Sequence, residues 1–307
     1  MAKMSTSPSD TTTFAEAQSL AAGLPPLMAE AERVATTVEQ GIHGRRRTGP
    51  GESFWQYRRY DAGDTANAVD WRQSARSQHL FVRENEWDAS QSVWLWCDQS
   101  ASMSYRSDLA PCLKRDRALV LGLALANLLT RAGERVAALG QDGIPSSGRT
   151  GLNRLTNHWL SDKAQASEHS GLPPLQGLPR YATMVLIGDF LDPTAALTKR
   201  VRQLAASGVA GHLVQVLDPA ETDLPFDGRT EFEGVEEDLK LLVSRAETIR
   251  TAYQDRLASH QAVLRDMARS ISWSFATHRT DHSATSALLS LYGIISGAPD
   301  AIQMARS

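Results

Sequence analysis

The sequence has few of the features that mark secreted, membrane-spanning or nucleic-acid-binding proteins. Its 307 residues contain two cysteines, Cys97 and Cys112, which are too few for a disulfide framework. No apolar run reaches the roughly 18 residues of a membrane span, and the first residues lack the apolar core of a signal peptide. The net charge of -3 gives no general attraction to nucleic acid or anionic membranes. We therefore expect a cytoplasmic protein with no membrane span and no nucleic-acid partner.

Composition and patterning divide the chain into three parts. Residues 1–13 are rich in Ser and Thr and are predicted to be disordered. Residues 14–90 are predicted to form an N-terminal extension of helices and strands. Residues 91–300 alternate between short apolar runs, typical of buried strands, and amphipathic helical patterns. This alternation predicts an α/β fold built on a doubly wound, mostly parallel sheet.

The most informative stretch is an apolar run that ends in side chains able to bind a cation. Residues 93–97 are apolar, and Asp98, Ser100 and Ser102 follow at alternate positions. In open α/β sheets, ligands bind beyond the carboxyl ends of the strands. One carboxylate and two hydroxyls there could hold a hard cation such as Mg²⁺. An Asp-Ser turn that caps the next helix explains the same spacing equally well.

A second apolar run supports the cation hypothesis. Residues 183–188 form another predicted buried strand, and this strand also ends in an acid, Asp189. Thr150 comes just before a helical pattern, where it is either a helix N-cap or a third hydroxyl ligand. No histidine motif accompanies Ser100 or Ser102, so the pattern does not predict a nucleophile activated by a base.

The loop Asp98-Gln99-Ser100-Ala101-Ser102 resembles the metal-ion-dependent adhesion site of von Willebrand factor A domains, whose sheet is of the Rossmann type. In that family an Asp-x-Ser-x-Ser loop, a Thr from a second loop and an Asp from a third bind a divalent cation. A carboxylate of the partner protein supplies the missing ligand. The resemblance implies that Asp98, Ser100, Ser102, Thr150 and Asp189 bind Mg²⁺ or Mn²⁺, and that residues 91–300 form such a domain.

The residues upstream resemble the signature of the domain-of-unknown-function-58 family, bacterial proteins that carry this block directly before an A-type domain. The matching residues are Gly49 to Phe54, Arg59-Tyr60, Gly63-Asp64, Asp70-Trp71, Ser74-Ala75-Arg76, and Arg83-Glu84 with Glu86. The resemblance implies a non-enzymatic adaptor or co-chaperone of a MoxR-type AAA+ ATPase that matures an unknown client. Arg59, Tyr60, Asp64 and Arg76 are the candidate partner-binding residues.

Two other functions remain open from the residues. One is a metal-assisted phosphoester hydrolase, with Asp98 and Asp189 on the metal and Arg59 or Arg76 on the phosphate. The other is a degenerate A domain that binds partners without metal through residues 58–84. The Arg and Asp side chains of that segment are also well placed for structural ion pairs, which are common in proteins and require no function.

Overall fold

The computed structural model describes residues 29–39, 54–60, 69–76, 79–85, 91–160, 171–234 and 240–295. The chain forms two compact units. The α/β unit comprises Met1–Glu39 and Ser92–Ser307, and the small unit comprises Gln40–Gln91. This division differs from the predicted one, because the helix at residues 29–39 belongs to the α/β unit. The predicted disordered residues 1–13 lie outside the described residues.

Strands and helices are numbered here in chain order within the described residues. The strands are β1 (Phe54–Arg59), β2 (Phe81–Asn85), β3 (Ser92–Cys97), β4 (Arg135–Ala138), β5 (Thr183–Gly188), β6 (Ala210–Leu217), β7 (Thr230–Glu233), β8 (Lys240–Val243) and β9 (Ser274–Arg279). The helices are α1 (29–39), α2 (Trp71–Ser74), α3 (Lys114–Arg131), α4 (Gly148–Trp159), α5 (Thr194–Ala205), α6 (Pro219–Asp223), α7 (Arg250–Ser270) and α8 (Ala284–Ile295).

The α/β unit is built on a five-stranded sheet in the order β4-β3-β5-β6-β9, and every pairing in it is parallel. The predicted α/β fold with a mostly parallel sheet is therefore confirmed. From β3 the chain moves outward to β4 and then returns to the other side of β3 to form β5. The order reverses between β3 and β5, and ligands bind at this switch point in sheets of this kind.

Successive side chains of β3 face opposite sides of the sheet, as in any strand. Trp94 and Trp96 belong to the apolar core that also contains Leu197 of α5 and Leu264 of α7. On the other face, the Cys97 thiol donates to the carbonyl of Ala118 in α3, over 3.4 Å. Helices therefore cover both faces of the sheet, which explains why β3 is an uninterrupted apolar run.

The apolar spacing from Leu27 through Val34 and Val38 predicts a helix, and α1 is present there as part of the α/β unit. Its buried side chains are Ala31, Val34, Ala35 and Val38. The guanidinium of Arg131 at the end of α3 lies 2.6 Å from the carboxylate of Glu39 and 3.4 Å from that of Glu32. None of the helices in the described ranges is both long and apolar enough to cross a bilayer.

The charged sequence from Glu236 to Arg269, with its spaced apolar residues, predicts one long helix, and this prediction is wrong in its first part. Lys240–Val243 is strand β8, which pairs antiparallel with β7, and helix α7 begins only at Arg250. The Arg250 guanidinium donates to the carbonyls of Leu224 and Phe226, and so ties the start of α7 to the segment before the β7–β8 hairpin. Cross-strand pairing, which a local apolar pattern does not report, decides the structure here.

The small unit contains an antiparallel pair, β1 and β2, and the short helix α2. The buried hydroxyl of Ser74 accepts a hydrogen bond from the amide of Phe81 at 2.9 Å, and the amide of Asp70 donates to the Phe81 carbonyl. The side chain of Trp71 is 64% exposed. The signature block thus includes a polar side chain that fixes the backbone and an aromatic side chain that faces solvent.

Candidate functional site

The carboxyl ends of β3 and β5 meet at the switch point of the sheet. The amide of Asp98, directly after β3, donates to the carbonyl of Ile187 in β5 at 2.8 Å. A Cβ on Gly188 would lie 2.8 Å from the Cβ of Asp98, closer than real side chains approach. The absence of a side chain at residue 188 is therefore what allows Asp98 to lie against the end of β5.

The Asp98 carboxylate is buried, with only 1% of the residue exposed, and is only partly hydrogen-bonded. Its Oδ1 accepts the backbone N–H of Ser100 at 2.8 Å, whereas its Oδ2 has no hydrogen-bond partner among the described residues. Burial raises the pKa of Asp98 to about 7, and the carboxylates of Asp189 and Asp192 add to the increase. The hydrogen bonds from Ser100 oppose it. A buried carboxylate in this state is stabilised by a proton or by a cation.

The two serines of the loop lie together next to this carboxylate. Their Oγ atoms are 3.0 Å apart, and Ser100 is buried. Ser100 precedes a short 3₁₀ helix (Ala101–Ser104), but its side chain does not cap that helix. The turn interpretation of the sequence therefore accounts for Asp98 Oδ1 and leaves Oδ2 and the two hydroxyls unexplained. These oxygens are the ligand types that hard cations prefer.

Asp189 is held by a buried ammonium that the sequence analysis did not single out. Lys114 Nζ lies 2.9 Å from Asp189 Oδ2 and 2.6 Å from Glu221 Oε1, and Lys114 is fully buried. Burial lowers the pKa of Lys114, but the carboxylates of Glu221 and Asp189 outweigh that effect and raise the pKa above its usual value. A lysine in the first turn of a helix opposes the helix dipole, and this was the signal in the sequence that could have marked it.

The backbone after Asp189 is fixed in an unusual conformation. Phe190 has a φ of 49° in a fully buried position, a region that residues other than glycine rarely adopt. The side chain of Gln215 donates to the Asp189 carbonyl at 2.8 Å, and His260 Nε2 lies 2.7 Å from the Phe190 carbonyl. These two contacts hold the carbonyls on both sides of the strained residue, and so hold the end of β5 in place.

The structure brings a further acid, Asp192, to the Asp98 carboxylate. A Cβ on Gly171 would lie 2.4 Å from Asp192 Oδ2 and 3.2 Å from Asp98 Oδ2. Both carboxylate oxygens therefore lie close to Gly171, where a side chain would collide with Asp192. Asp192 lies three residues beyond Asp189, and its place directly before Pro193 is typical of a helix cap. The N-cap of α5 is instead Pro193.

Thr150, by contrast, does not lie near Asp98. It is exposed in the first turn of α4. The next residue, Gly151, lies against the carbonyl of Ser146 and the side chain of Val136. Val136 pairs with Val93 at the amino end of β3, so Thr150 lies at the opposite edge of the sheet from Asp98. The other end of α4 reaches the loop, because the Gln99 amide donates to the Trp159 carbonyl at 3.1 Å.

A third strand of the sheet, β6, also ends in an acid, but this acid has a structural role. Asp218 is fully buried and caps α6 by accepting the amide of Ala220. It also accepts the amide of Ser107 at 2.9 Å and the Ser107 hydroxyl at 2.5 Å. Both of its oxygens are engaged, so Asp218 ties the loop that follows β3 to the end of β6.

The candidate partner-binding residues belong to the small unit. Arg59 and Arg76 are exposed, and Tyr60 is half-buried with its amide bonded to the Leu80 carbonyl. Asp64 lies outside the described residues. Within the part of the chain that the structure describes, no three Asp, Glu, His or Cys side chains are grouped so as to hold a metal ion. A cation at Asp98 would therefore need hydroxyl ligands.

The chain is similar to several bacterial proteins. It is 29% identical over 264 residues to uncharacterized proteins of Mycobacterium bovis and Mycobacterium tuberculosis, with 82% of this chain and 81% of each relative covered. Among solved structures, a conserved hypothetical protein BatB from Bacteroides thetaiotaomicron matches at 14% identity with a TM-score of 0.41, over 71% of this chain and 100% of that chain. An aerotolerance-related membrane protein from Bacteroides fragilis matches at 15% identity with a TM-score of 0.37, over 67% of this chain and 100% of that chain.

A family model covers more than half of the chain. The model is described as protein of unknown function DUF58, and it matches residues 56–263, which include β2, the Asp98 loop, Lys114, Asp189 and most of α7. The match begins inside the small unit and continues through most of the α/β unit. This chain therefore belongs to the DUF58 family.

Proposed function

We propose that this protein is a non-enzymatic interaction module in which the Asp98 loop holds Mg²⁺ or Mn²⁺ and the cation captures a carboxylate of a partner protein. The observation that carries the proposal is the buried Asp98 Oδ2, which has no hydrogen-bond partner among the described residues and lies in a loop with two serine hydroxyls. A carboxylate buried in this way carries a large desolvation cost. A hard cation bound to it removes that cost, and oxygen from a partner completes the coordination shell.

The partner we propose is a MoxR-type AAA+ ATPase, with this chain as its adaptor or co-chaperone in the maturation of a client protein. The resemblance of the signature block implies such an association, and the family match extends over β2 of that block. In the small unit, Arg59 and Arg76 are exposed and Trp71 is 64% exposed. Arg and Trp side chains are enriched among the residues that dominate binding energy in protein interfaces.

Calorimetric titration with Mg²⁺ and Mn²⁺ tests the cation. We expect saturable binding to the full chain and none to Asp98→Asn, which keeps the shape of the side chain and its hydrogen bond to Ser100 but removes the charge. Identical heats for the two proteins would refute the cation site. Capture of a purified MoxR-type ATPase with and without a chelator then tests the partner, and we expect chelation and Asp98→Asn to weaken capture equally.

A metal-assisted phosphoester hydrolase is less well supported by the geometry. Ser100 Oγ is hydrogen-bonded to Ser102 Oγ and has no histidine beside it among the described residues, so no base activates it there. The cation nearest to Asp189, Lys114, is fully buried and bound to two carboxylates, which leaves it unable to clamp a phosphate. Turnover of generic phosphodiesters by the wild type, lost in Asp98→Asn, would reverse this preference.

A metal-independent interaction module is the second candidate, and one observation favours it. Lys114 already supplies a positive charge to Asp189, as a metal ion would. In that version the exposed side chains of the small unit make the contact with the partner. Partner capture that is unchanged by chelation, and lost in a combined Arg59→Ala and Arg76→Ala variant, would select this candidate over the cation-dependent one.

A further inference from the structure

The guanidinium of Arg117, in the first turn of α3, is buried without a counter-charge. Only 7% of the residue is exposed. Its Nη2 donates to the Thr280 carbonyl at 2.9 Å, whereas its Nε has no hydrogen-bond partner among the described residues. No Asp or Glu in the described ranges forms an ion pair with it. A buried charge in this state is costly, and an anion bound to it removes that cost.

Two acids at this end of the sheet are bound to other groups. Asp218, directly after the strand β6 that pairs with β9, accepts the amide and the hydroxyl of Ser107. Asp281, shortly after β9, is bound by the Arg279 guanidinium at 3.0 Å. Both carboxylates are therefore engaged away from Arg117.

Arg131, at the other end of the same helix, shows the usual arrangement of an arginine. Its guanidinium lies 2.6 Å from the carboxylate of Glu39 and 3.4 Å from that of Glu32. Arg117 has no such pair in the described part of the chain, and it also lies at the amino end of α3, where the helix dipole is positive. The electrostatic environment of Arg117 therefore favours an anion.

Two polar side chains beside Arg117 also have unused hydrogen-bonding capacity. Thr280 Oγ1 and His278 Nε2 lack a hydrogen-bond partner among the described residues, and the two residues are 0% and 6% exposed. The amide of Thr280 donates to the Leu217 carbonyl and so continues the pairing of β6 with β9. Residues two positions apart in an extended chain face the same side, so His278 and Thr280 both face Arg117.

The charge state of His278 agrees with this placement. Burial lowers the pKa of His278 to about 4, and the positive charge of Arg117 adds to the decrease. The imidazole is therefore neutral at pH 7, and one tautomer of a neutral imidazole carries its proton on Nε2. In that tautomer His278 is a hydrogen-bond donor.

We propose that Arg117, Thr280 and His278 form a binding site for a small inorganic anion such as chloride. The three side chains offer an Nε–H, a hydroxyl and an imidazole N–H, and an anion accepts hydrogen bonds from all three. A water molecule accepts hydrogen bonds as well, but it does not neutralise the guanidinium. The burial of all three residues favours an ion of few atoms. The bound anion joins the start of α3 to the end of β9, and the site is independent of the proposed cation at Asp98.

Binding of chloride tests the site directly. Chloride replaces gluconate at constant ionic strength, and binding is measured by the broadening of the chloride NMR signal and by the rise in the thermal unfolding midpoint. We expect saturable binding to the wild type and none to Arg117→Gln. Thr280→Val keeps the shape of the side chain but removes one donor, and we expect it to weaken binding by roughly tenfold or more.

Two matched substitutions on α3 serve as controls. Arg131→Gln removes an arginine that already has carboxylate partners. Thr130→Val removes a hydroxyl that donates to the Ala126 carbonyl of its own helix. We expect both variants to bind chloride with the dissociation constant of the wild type, and circular dichroism establishes that each variant is folded.

The outcomes decide between a built site and general ion effects. Equal chloride binding by the wild type, Arg117→Gln and Thr280→Val would show an adventitious ion only and would overturn the proposal. Phosphate is titrated in the same way, and saturable binding that is lost in Arg117→Gln supports the site with a larger anion. If the wild type binds neither anion, water alone hydrates the guanidinium and the proposal fails. If Arg117→Gln does not fold, wild-type affinity in Thr280→Val is enough to refute the site.

Discussion

Lys114 and Asp189 form an ion pair that is removed from solvent, with 2.9 Å between Nζ and Oδ2 and side-chain exposures of 0% and 3%. The same ammonium binds Glu221 of α6, so it joins the start of α3, the end of β5 and the segment after β6. A charged network inside the protein is costly to create and more costly to break on one side only. The pair therefore holds together the segments that meet at the switch point. It also keeps Asp189 Oδ2 bound to an ammonium.

Removal of the Lys114 ammonium should destabilise the α/β unit strongly. Lys114→Met keeps the length and most of the volume of the side chain but leaves Asp189 and Glu221 without their counter-charge. We expect the free energy of unfolding to fall by about 3–5 kcal/mol, the usual cost of breaking a buried pair from one side. Urea denaturation followed by circular dichroism measures this change.

A triple variant provides the control for this prediction. Lys114→Met combined with Asp189→Asn and Glu221→Gln removes both negative charges together with the positive one, and we expect it to regain a substantial part of the lost stability. Equal stability of Lys114→Met and the wild type would mean that the ammonium contributes no net stabilisation to the folded state.

His212 should make the folded state less stable in mild acid. Burial lowers the pKa of His212 to about 4, and its Nδ1 lies 2.8 Å from the hydroxyl of Ser274 on the neighbouring strand. Between about pH 6.5 and pH 4 the unfolded chain binds a proton that the folded chain does not. Stability from this residue is therefore complete above about pH 6.5 and is lost as the pH falls through that range.

Comparison of His212→Asn with the wild type isolates the effect of this histidine. Asparagine can keep a hydrogen bond to Ser274 and does not titrate, so the difference in unfolding free energy should change between about pH 7 and pH 4.5 in favour of the variant. The side chain of His282 is 65% exposed, and His282→Asn serves as the control. A pH-independent difference for His212→Asn would contradict the prediction.

The sequence predicted which strand ends lie side by side, because strand ends are local features. An apolar run that stops at Asp98, and another that stops at Asp189, indicate neighbouring parallel strands without any knowledge of contacts. The sheet confirms this neighbourhood, since Cys97 pairs with Ile187. The same reasoning did not identify the role of Asp189, because the Lys114 ammonium that binds it is 75 residues away in the chain.

Features that depend on contacts between segments far apart in the chain could not be predicted from the local sequence pattern. Thr150 has the local context of a helix start, but the bridge between Val136 and Ser146 places that start at the amino end of the sheet. Asp192 has the local context of a helix cap, but the absence of a side chain at Gly171 lets its carboxylate face Asp98. In both cases a second segment of the chain determines where the side chain lies.

Gly122 should be sensitive to the smallest substitution. A Cβ at this position of α3 would lie 2.7 Å from the Trp159 ring and 2.9 Å from the Cys97 sulfur. Alanine favours helix by up to about 1 kcal/mol over glycine, but overpacking in a core costs about 1–3 kcal/mol. We expect Gly122→Ala to be destabilising overall in chemical denaturation. Pairing it with Trp159→Leu in a double-mutant cycle should show a favourable coupling, because the smaller side chain relieves the clash; strict additivity would show that the ring is not the obstacle.

Asp98 should link the stability of the metal-free protein to pH in the opposite sense to His212. Its pKa of about 7 in the folded protein, against 3.8 for an ordinary aspartate, is due chiefly to burial. Between about pH 4 and pH 7 the folded chain holds a proton that the unfolded chain has released, so the contribution of Asp98 to stability declines as the pH rises through that range.

Asp98→Asn carries no charge and escapes this decline. In the presence of a chelator we expect the variant to be more stable than the wild type at about pH 8, by on the order of 2 kcal/mol, and the difference to shrink toward about pH 4. Thermal and urea unfolding across this range measure the difference.

Addition of Mg²⁺ at the higher pH should stabilise the wild type alone, because only the wild type has a buried charge for the ion to neutralise. A wild type that is more stable than Asp98→Asn at every pH without metal would mean that the Asp98 carboxylate is stabilised by the fold itself, and that its burial is not a cost that a cation needs to relieve.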